Sequence, residues 1–138
     1  MSYTQAFAKA AQAFNSHDWD EANLLFSDLS SQSMHYSENV LCEGFAKLAR
    51  IYNRVIDTEH YDPSLAHELR FELDRLATEL QEELPARVLG ISVHGLTDAI
   101  EKLEDDLEFA RQPTPIRIQA PGKSGDNPSD LEEGDFEA

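Results

Sequence analysis

The chain has 138 residues and a formal net charge of −16, and hydrophobic residues make up 41% of it. This length accommodates one domain with a hydrophobic core, and the apolar content excludes a chain that is disordered throughout. No apolar run approaches the roughly 20 residues that span a bilayer, so the sequence predicts no membrane segment. A surface this negative repels phosphate groups, which argues against binding to nucleic acid or to anionic lipid.

The acidity is spread along the chain. Residues 119–138 carry six acidic side chains and one basic one, which leaves 21 acidic and ten basic side chains in the preceding residues. Three explanations are consistent with this charge: solubility, a high-salt cytoplasm in which proteins are acidic and poor in lysine, and a basic partner or mimicry of nucleic acid. The single cysteine, Cys42, and an N-terminus without the features of a signal peptide predict a cytoplasmic protein.

Helical periodicity dominates the sequence before Pro113, because apolar residues recur every three or four positions. We expect five helices, whose starts are marked by Ser2, Asp18, Ser37, the pair Asp62-Pro63, and Ser92. The serine-rich residues 30–33 predict a loop between the second and third helices. No alternating pattern typical of a strand occurs before Pro113, so the fold class is all-α.

Three segments follow from these patterns. Residues 1–112 are predicted to form one compact bundle of about five helices. Residues 113–121 combine prolines with Ile116 and Ile118, which predicts an extended arm against the bundle. Residues 122–138 contain few apolar side chains and many acidic ones, so we expect a disordered acidic tail.

Four stretches carry a family resemblance: FN at 14–15 with DWDEA at 18–22, GFAKLA at 44–49 with Tyr52, LDRL at 73–76, and LGISV at 89–93. In this order they resemble the small helical domain-of-unknown-function family numbered three hundred and nine, over residues 5 to about 112. The resemblance implies a compact helical bundle and no established reaction. Where the family has a His-Glu pair, this sequence has Asn23 and Leu24, so a metal or acid-base site is not implied there.

Residues 10–29 also resemble one tetratricopeptide-type helical hairpin, in which small residues let two helices approach and aromatic rings fill the gaps. The residues that carry this second resemblance are Ala10, Phe14, Trp19, Ala22, Phe26 and Leu29. An array needs the pattern at least three times, at intervals of about 34 residues. The sequence does not repeat it at that interval, so we expect a single hairpin.

Catalytic and metal-binding motifs are missing from the sequence. There is no HExxH pair, no GxSxG turn and no Gly-rich phosphate loop. His67 with Glu68 and Glu72 comes nearest to a ligand set, and chance in so acidic a chain explains it. Cys42 lies in an apolar helix and is predicted to be a buried structural thiol. We therefore expect no metal and no cofactor, and the sequence favours a protein that is not an enzyme.

Two candidate binding surfaces remain. One is a cleft lined by Trp19, Asn23 and Tyr52, and the other is an acidic face on the last helix formed by Glu101, Glu104, Asp105 and Glu108. The sequence favours an interaction or accessory protein that binds another protein, a basic one included, through a groove or this face. The alternatives are a degenerate or unrecognised enzyme with a cleft near Asn23, and an acidic nucleic-acid mimic that inhibits a nucleic-acid-binding protein.

Overall fold

A computed structural model describes residues 2–56 and 62–118 of the chain. It contains five helices, α1 (Tyr3–Asn15), α2 (Trp19–Gln32), α3 (Tyr36–Ile56), α4 (Pro63–Glu83) and α5 (Val93–Glu108), and two short strands, β1 (Arg87–Val88) and β2 (Ile91–Ser92). The prediction of an all-α bundle is confirmed. The predicted tail 122–138 and residues 119–121 of the predicted arm lie outside the described residues.

The predicted capping residues account for most helix starts. Ser2 and Gln5 exchange side-chain and backbone hydrogen bonds in a capping box at the start of α1. Asp62 caps α4 by accepting two backbone N–H groups, and Ser92 caps α5 in the same manner with one. Asp18 occupies the N-cap position of α2, but its side chain makes no capping hydrogen bond.

The predicted loop at residues 30–33 is wrong for its first three residues, because α2 continues to Gln32. Serine is unfavourable in a helix when its hydroxyl competes for backbone groups. Here the Ser30 hydroxyl donates to the carbonyl of Asn39, and the Ser31 hydroxyl donates to the carbonyl of Asp28. These bonds occupy both hydroxyls while Leu29 is buried in the core, so packing outweighs the local preference.

A β-hairpin joins α4 to α5 and was not predicted. Its strands pair Arg87 with Ser92 and Val88 with Ile91 in antiparallel register. The two residues between them, Leu89 and Gly90, both have positive φ, 53° and 79°, as a type I′ turn requires. Strands of two residues are too short to show alternation in a sequence, which is why the pattern gave no sign of them.

The core is built on aromatic side chains from the first three helices. Phe7 and Phe14 of α1, Phe26 of α2 and Phe45 of α3 are fully buried, and their contacting rings have centroids 5.1 to 6.4 Å apart. Helix α4 approaches α3 at Gly44, where an added Cβ would lie 3.3 Å from a Leu80 methyl carbon. The same buried cluster extends through α4 and α5.

Candidate functional site

The aromatic residues of the predicted cleft contact each other directly. The rings of Trp19 and Tyr52 are stacked, with centroids 4.5 Å apart and an interplanar angle of 9°, and both side chains are buried. The exposed ring of His17 stacks on Trp19 at 5.1 Å. Because the Trp19 and Tyr52 rings are in contact, they leave no gap between them in which a ligand could bind.

Asn23, the third predicted cleft residue, is engaged elsewhere. Its side-chain oxygen accepts a hydrogen bond of 2.9 Å from the Arg50 guanidinium. The structure therefore brings Trp19 and Tyr52 together. Asn23 of α2 instead contacts Arg50 of α3. The buried indole N–H of Trp19 makes no hydrogen bond to any residue in the described part of the chain.

The turn between α1 and α2 places His17 against Trp19. The N–H groups of His17 and Asp18 donate to the carbonyls of Phe14 and Ala13, which is the Schellman pattern of a helix C-terminus. This pattern requires a positive φ at His17, and the value is 66°. A residue other than glycine in this conformation is uncommon, and histidine is among the residue types enriched there.

The predicted acidic face lies on one side of α5. Its four carboxylates, at positions 101, 104, 105 and 108, follow helical spacing, and Glu104 is the one that is partly buried. Two residues of the neighbouring helix α4, Asp74 and Arg70, interact with Glu104. The Arg70 guanidinium also lies 3.5 Å from a Glu108 oxygen. Burial, followed by repulsion from Asp74 and Glu101, raises the pKa of Glu104 to about 7.

A second polar site, absent from the sequence prediction, is centred on Asp106 of α5. This carboxylate is 2% exposed and accepts hydrogen bonds from the Thr114 N–H at 2.9 Å, the Thr114 hydroxyl at 2.6 Å and the Arg111 Nε at 3.3 Å. Burial alone would raise the pKa of Asp106, but these hydrogen bonds from Thr114 and Arg111 outweigh it and hold the pKa below its usual value.

Two further side chains hold the segment that follows α5. The Tyr52 hydroxyl donates to the carbonyl of Thr114 at 2.6 Å. The Asn15 amide donates to the carbonyl of Ile118 at 2.9 Å, and its oxygen accepts from the N–H of the same residue at 2.8 Å. We call residues 113–118 the arm, and the surface formed around Asn15, Tyr52 and Asp106 the arm groove.

Burial alternates along residues 115–118 of the arm, as it does in an extended chain with one side against the helices. Ile116 and Ile118 are buried in the main core, 4% and 2% exposed, while Pro115 and Arg117 are exposed. The prediction that an extended segment packs on the bundle through its two isoleucines agrees with this arrangement. What the sequence did not reveal is the set of polar side chains that hold the arm's backbone.

One sequence signal for the arm groove was available. Asp106 follows Leu103 by three positions, which places an acidic residue on the apolar face of α5. A charge at such a position needs a partner when it is buried. Asn15 gives no comparable signal, because an asparagine at a helix C-terminus is common without any distant contact.

Neither surface presents a set of metal ligands among the described residues. Within residues 2–56 and 62–118, no three His, Cys, Asp or Glu side chains are placed to hold a metal ion. Glu68 and Glu72 lie 3.0 and 3.4 Å from the Arg54 guanidinium, and His67 is exposed. In the same ranges, no helix has both the length and the apolar character that crossing a bilayer needs.

Cys42 is buried, as predicted, and its sulfur lies 3.3 Å from the Tyr3 hydroxyl. Burial raises the pKa of the thiol to about 11, and the hydrogen bond with Tyr3 offsets only part of this effect. Because the thiolate is the reactive form, we expect this cysteine to react slowly near neutral pH.

No family model, no curated protein and no solved structure matches this chain. The resemblances to the helical family and to a tetratricopeptide-type hairpin accordingly stay predictions from sequence. The geometry of the acidic face and of the arm groove therefore carries the functional argument.

Proposed function

We propose that this chain is a non-enzymatic interaction protein of the cytoplasm, and that it binds a basic region of another protein through the acidic face of α5. The observation that supports this most directly is the spacing of four carboxylates, at positions 101, 104, 105 and 108, along one side of α5. Burial, followed by repulsion from Asp74 and Glu101, also raises the pKa of Glu104 to about 7. A lysine or arginine side chain placed on this face would relieve the repulsion and favour the ionised form of Glu104. The face is therefore suited to a cation from a partner.

Two consequences of this proposal can be measured. Binding of a cationic segment is coupled to loss of a proton from Glu104, so affinity should increase as the pH rises through about 7. Because the other carboxylates of the face are solvent-exposed, added salt should weaken the complex. A partner held mainly by apolar contacts would show neither dependence.

The test is capture of partners from an extract of the native host, with the full chain as bait. A face variant carries Glu101→Gln, Glu104→Gln, Asp105→Asn and Glu108→Gln. Its matched control removes the same number of charges elsewhere, through Glu21→Gln, Asp28→Asn, Glu43→Gln and Glu82→Gln. We expect the wild type and the control to retain the same partner and the face variant to lose it.

Equal capture by the two variants would contradict the acidic face as the binding surface. If the captured protein binds nucleic acid, and nucleic acid competes with this chain for it, the alternative of an acidic mimic replaces the adaptor. An enzyme remains the least supported reading, since the cleft residues Trp19 and Tyr52 contact each other and Asn23 is paired with Arg50.

A further inference from the structure

The polar contacts between the arm groove and the arm are made mostly to the arm's backbone. Asn15 binds both the N–H and the carbonyl of Ile118, and Tyr52 binds the carbonyl of Thr114. Asp106 accepts the N–H of Thr114 in addition to its hydroxyl. Every residue other than proline offers the same backbone groups, so the bonds to the backbone hold an extended chain with little regard to its sequence. Among these contacts, the bond from the Thr114 hydroxyl depends on a particular side chain.

Side chains of the arm are recognised only at alternate positions. In an extended chain successive side chains point to opposite sides. Ile116 and Ile118 are buried against the helices, whereas Pro115 and Arg117 face solvent. Backbone hydrogen bonds combined with pockets for every second side chain are the means by which proteins bind extended peptides. The groove therefore selects two aliphatic side chains separated by one residue.

Charge also favours a particular occupant. Residues 1–110 contain 21 acidic and eight basic side chains, a formal charge of −13, whereas residues 111–118 contain two arginines and no acidic residue. The negative charge of residues 1–110 therefore attracts a cationic segment that lies in the groove. The acidic residues that follow, within 119–138, have no such attraction.

Release of the arm would break no hydrogen bond within a helix. Its hydrogen bonds to the groove all use side chains of the bundle, at Asn15, Tyr52 and Asp106, and no helical backbone hydrogen bond depends on them. The backbone bond from Arg111 to the Asp106 carbonyl closes α5 before the arm begins and can persist when the arm is released.

From these features we propose that the arm groove is a peptide-binding site, in which an extended cationic segment of a partner protein with an aliphatic-x-aliphatic pattern replaces the arm. The arm then competes with the partner's segment for the groove. Because it is tethered to α5, its effective concentration at the groove is high, and the wild-type chain binds such a segment weakly until the arm is displaced. This site is separate from the acidic face, and the inference does not rest on the proposed function.

The experiment measures binding of a fluorescein-labelled peptide, Gln-Pro-Thr-Pro-Ile-Arg-Ile-Gln, which copies residues 112–119, by fluorescence anisotropy. The loosened protein is the full chain with Ile116→Ser and Ile118→Ser. We expect it to bind the peptide at least tenfold more tightly than the wild type, and Asn15→Ala added to it to reverse the gain. Asn53→Ala, at a half-buried asparagine outside the groove, is the matched control and should leave binding unchanged.

Two altered peptides test the selectivity. A peptide with both isoleucines replaced by serine should not bind, and one with Arg117→Glu should bind more weakly, with the difference reduced at high salt. Equal binding of all three peptides would overturn the aliphatic pattern and the proposal with it.

Other results would also decide the question. A loosened protein that remains helical by circular dichroism but binds the peptide no better than the wild type would overturn the proposal. So would a loosened protein that fails to fold, because the arm would then be an integral part of the core and not an exchangeable ligand. A wild-type dimer that dissociates in the loosened protein would assign the groove to the arm of a second copy instead. If no partner binds to the acidic face, the expected results of these peptide experiments stay the same, because the arm groove is a separate site.

Discussion

The side-chain amide of Asn15 forms two hydrogen bonds with the backbone of Ile118, which lies 103 residues further along the chain. One bond uses the amide as donor and the other uses it as acceptor, so the side chain satisfies both backbone groups of one residue. An extended segment without a neighbouring strand needs such partners, since its buried N–H and C=O groups are costly when unpaired.

Replacing Asn15 by alanine should release the arm more often. The substitution leaves both backbone groups of Ile118 without their protein partners, so we expect the free energy of unfolding to fall by about 1–2 kcal/mol. Trypsin should also cut faster after Arg117, because cleavage requires the arm to leave the groove. Asn53→Ala is the control, since its bond to Asp20 is exposed and 3.4 Å long. Unchanged cleavage after Arg117 would mean that Asn15 does not hold the arm.

The sequence predicted the helices well because their signals are local. Ser2, Asp62 with Pro63, and Ser92 each act within one helical turn, and apolar spacing shows which side of each helix is buried. The arm groove depends instead on contacts between distant residues, such as Asn15 with Ile118, and no local pattern encodes such a pairing. The sequence likewise placed Trp19 near Tyr52 without showing that their rings stack, and a binding role for these residues stays a prediction.

Asp106 should make the arm sensitive to acid. Its pKa is lowered in the folded protein, so its contribution to stability is complete above the ordinary aspartate pKa of 3.8 and is lost as the pH falls through the lower folded value. Asp106→Asn should cost about 2–3 kcal/mol at pH 7, since it removes charge-assisted hydrogen bonds from a buried site. The variant should in turn lose less stability than the wild type on acidification.

A matched change on the arm side separates these contributions. Thr114→Val keeps the backbone N–H bond to Asp106 and removes the hydroxyl bond, and about 1 kcal/mol should be lost at pH 7. Chemical denaturation of both variants at pH 7 and at pH 3 gives the comparison. If Asp106→Asn were as stable as the wild type at pH 7, the carboxylate would not be holding the arm.

At Ala110 and Gly90, backbone conformation should decide how a substitution changes the free energy of unfolding. Ala110 has a φ of 55° at the end of α5, where its N–H donates to the Leu107 carbonyl in a Schellman pattern. Glycine adopts this conformation without the strain of a Cβ, so Ala110→Gly should raise the free energy of unfolding by about 0.5–1 kcal/mol. The measurement is denaturant unfolding at constant pH.

The opposite substitution at Gly90 provides the comparison. Gly90 has a φ of 79°, and a Cβ added there would meet no atom within 4 Å. Gly90→Ala should therefore lower the free energy of unfolding by about 1 kcal/mol through backbone strain and not through collision. Effects of the same sign for the two substitutions would contradict the assigned conformations.

The thiol of Cys42 should resist chemical modification in the folded protein. The thiol is fully buried and its pKa is raised to about 11, so both access and thiolate content are low at pH 7. An aromatic disulfide reagent should react with it on the timescale of unfolding and at once in denaturant. Rapid labelling of the native protein would show that α1, which carries Tyr3 over this thiol, opens frequently.

Glu104 should make the protein more stable as the pH is lowered toward 5, in contrast to Asp106. Its pKa is about 7 in the folded chain against an ordinary value of 4.5, so between these values the folded state holds the proton more strongly than the unfolded state does. The free energy of unfolding therefore falls as the pH rises from about 4.5 to about 7, and the loss is complete above pH 7.

Glu104→Gln removes the ionisation, so the variant should melt at a higher temperature than the wild type at pH 8 and at nearly the same temperature at pH 5. Glu82→Gln, an exposed site on α4, is the charge-matched control and should show no such dependence on pH. A melting-temperature difference for Glu104→Gln that is equal at pH 5 and pH 8 would mean that burial and the neighbouring carboxylates do not raise the pKa of Glu104, and would remove the support that this pKa gives to a cationic partner there.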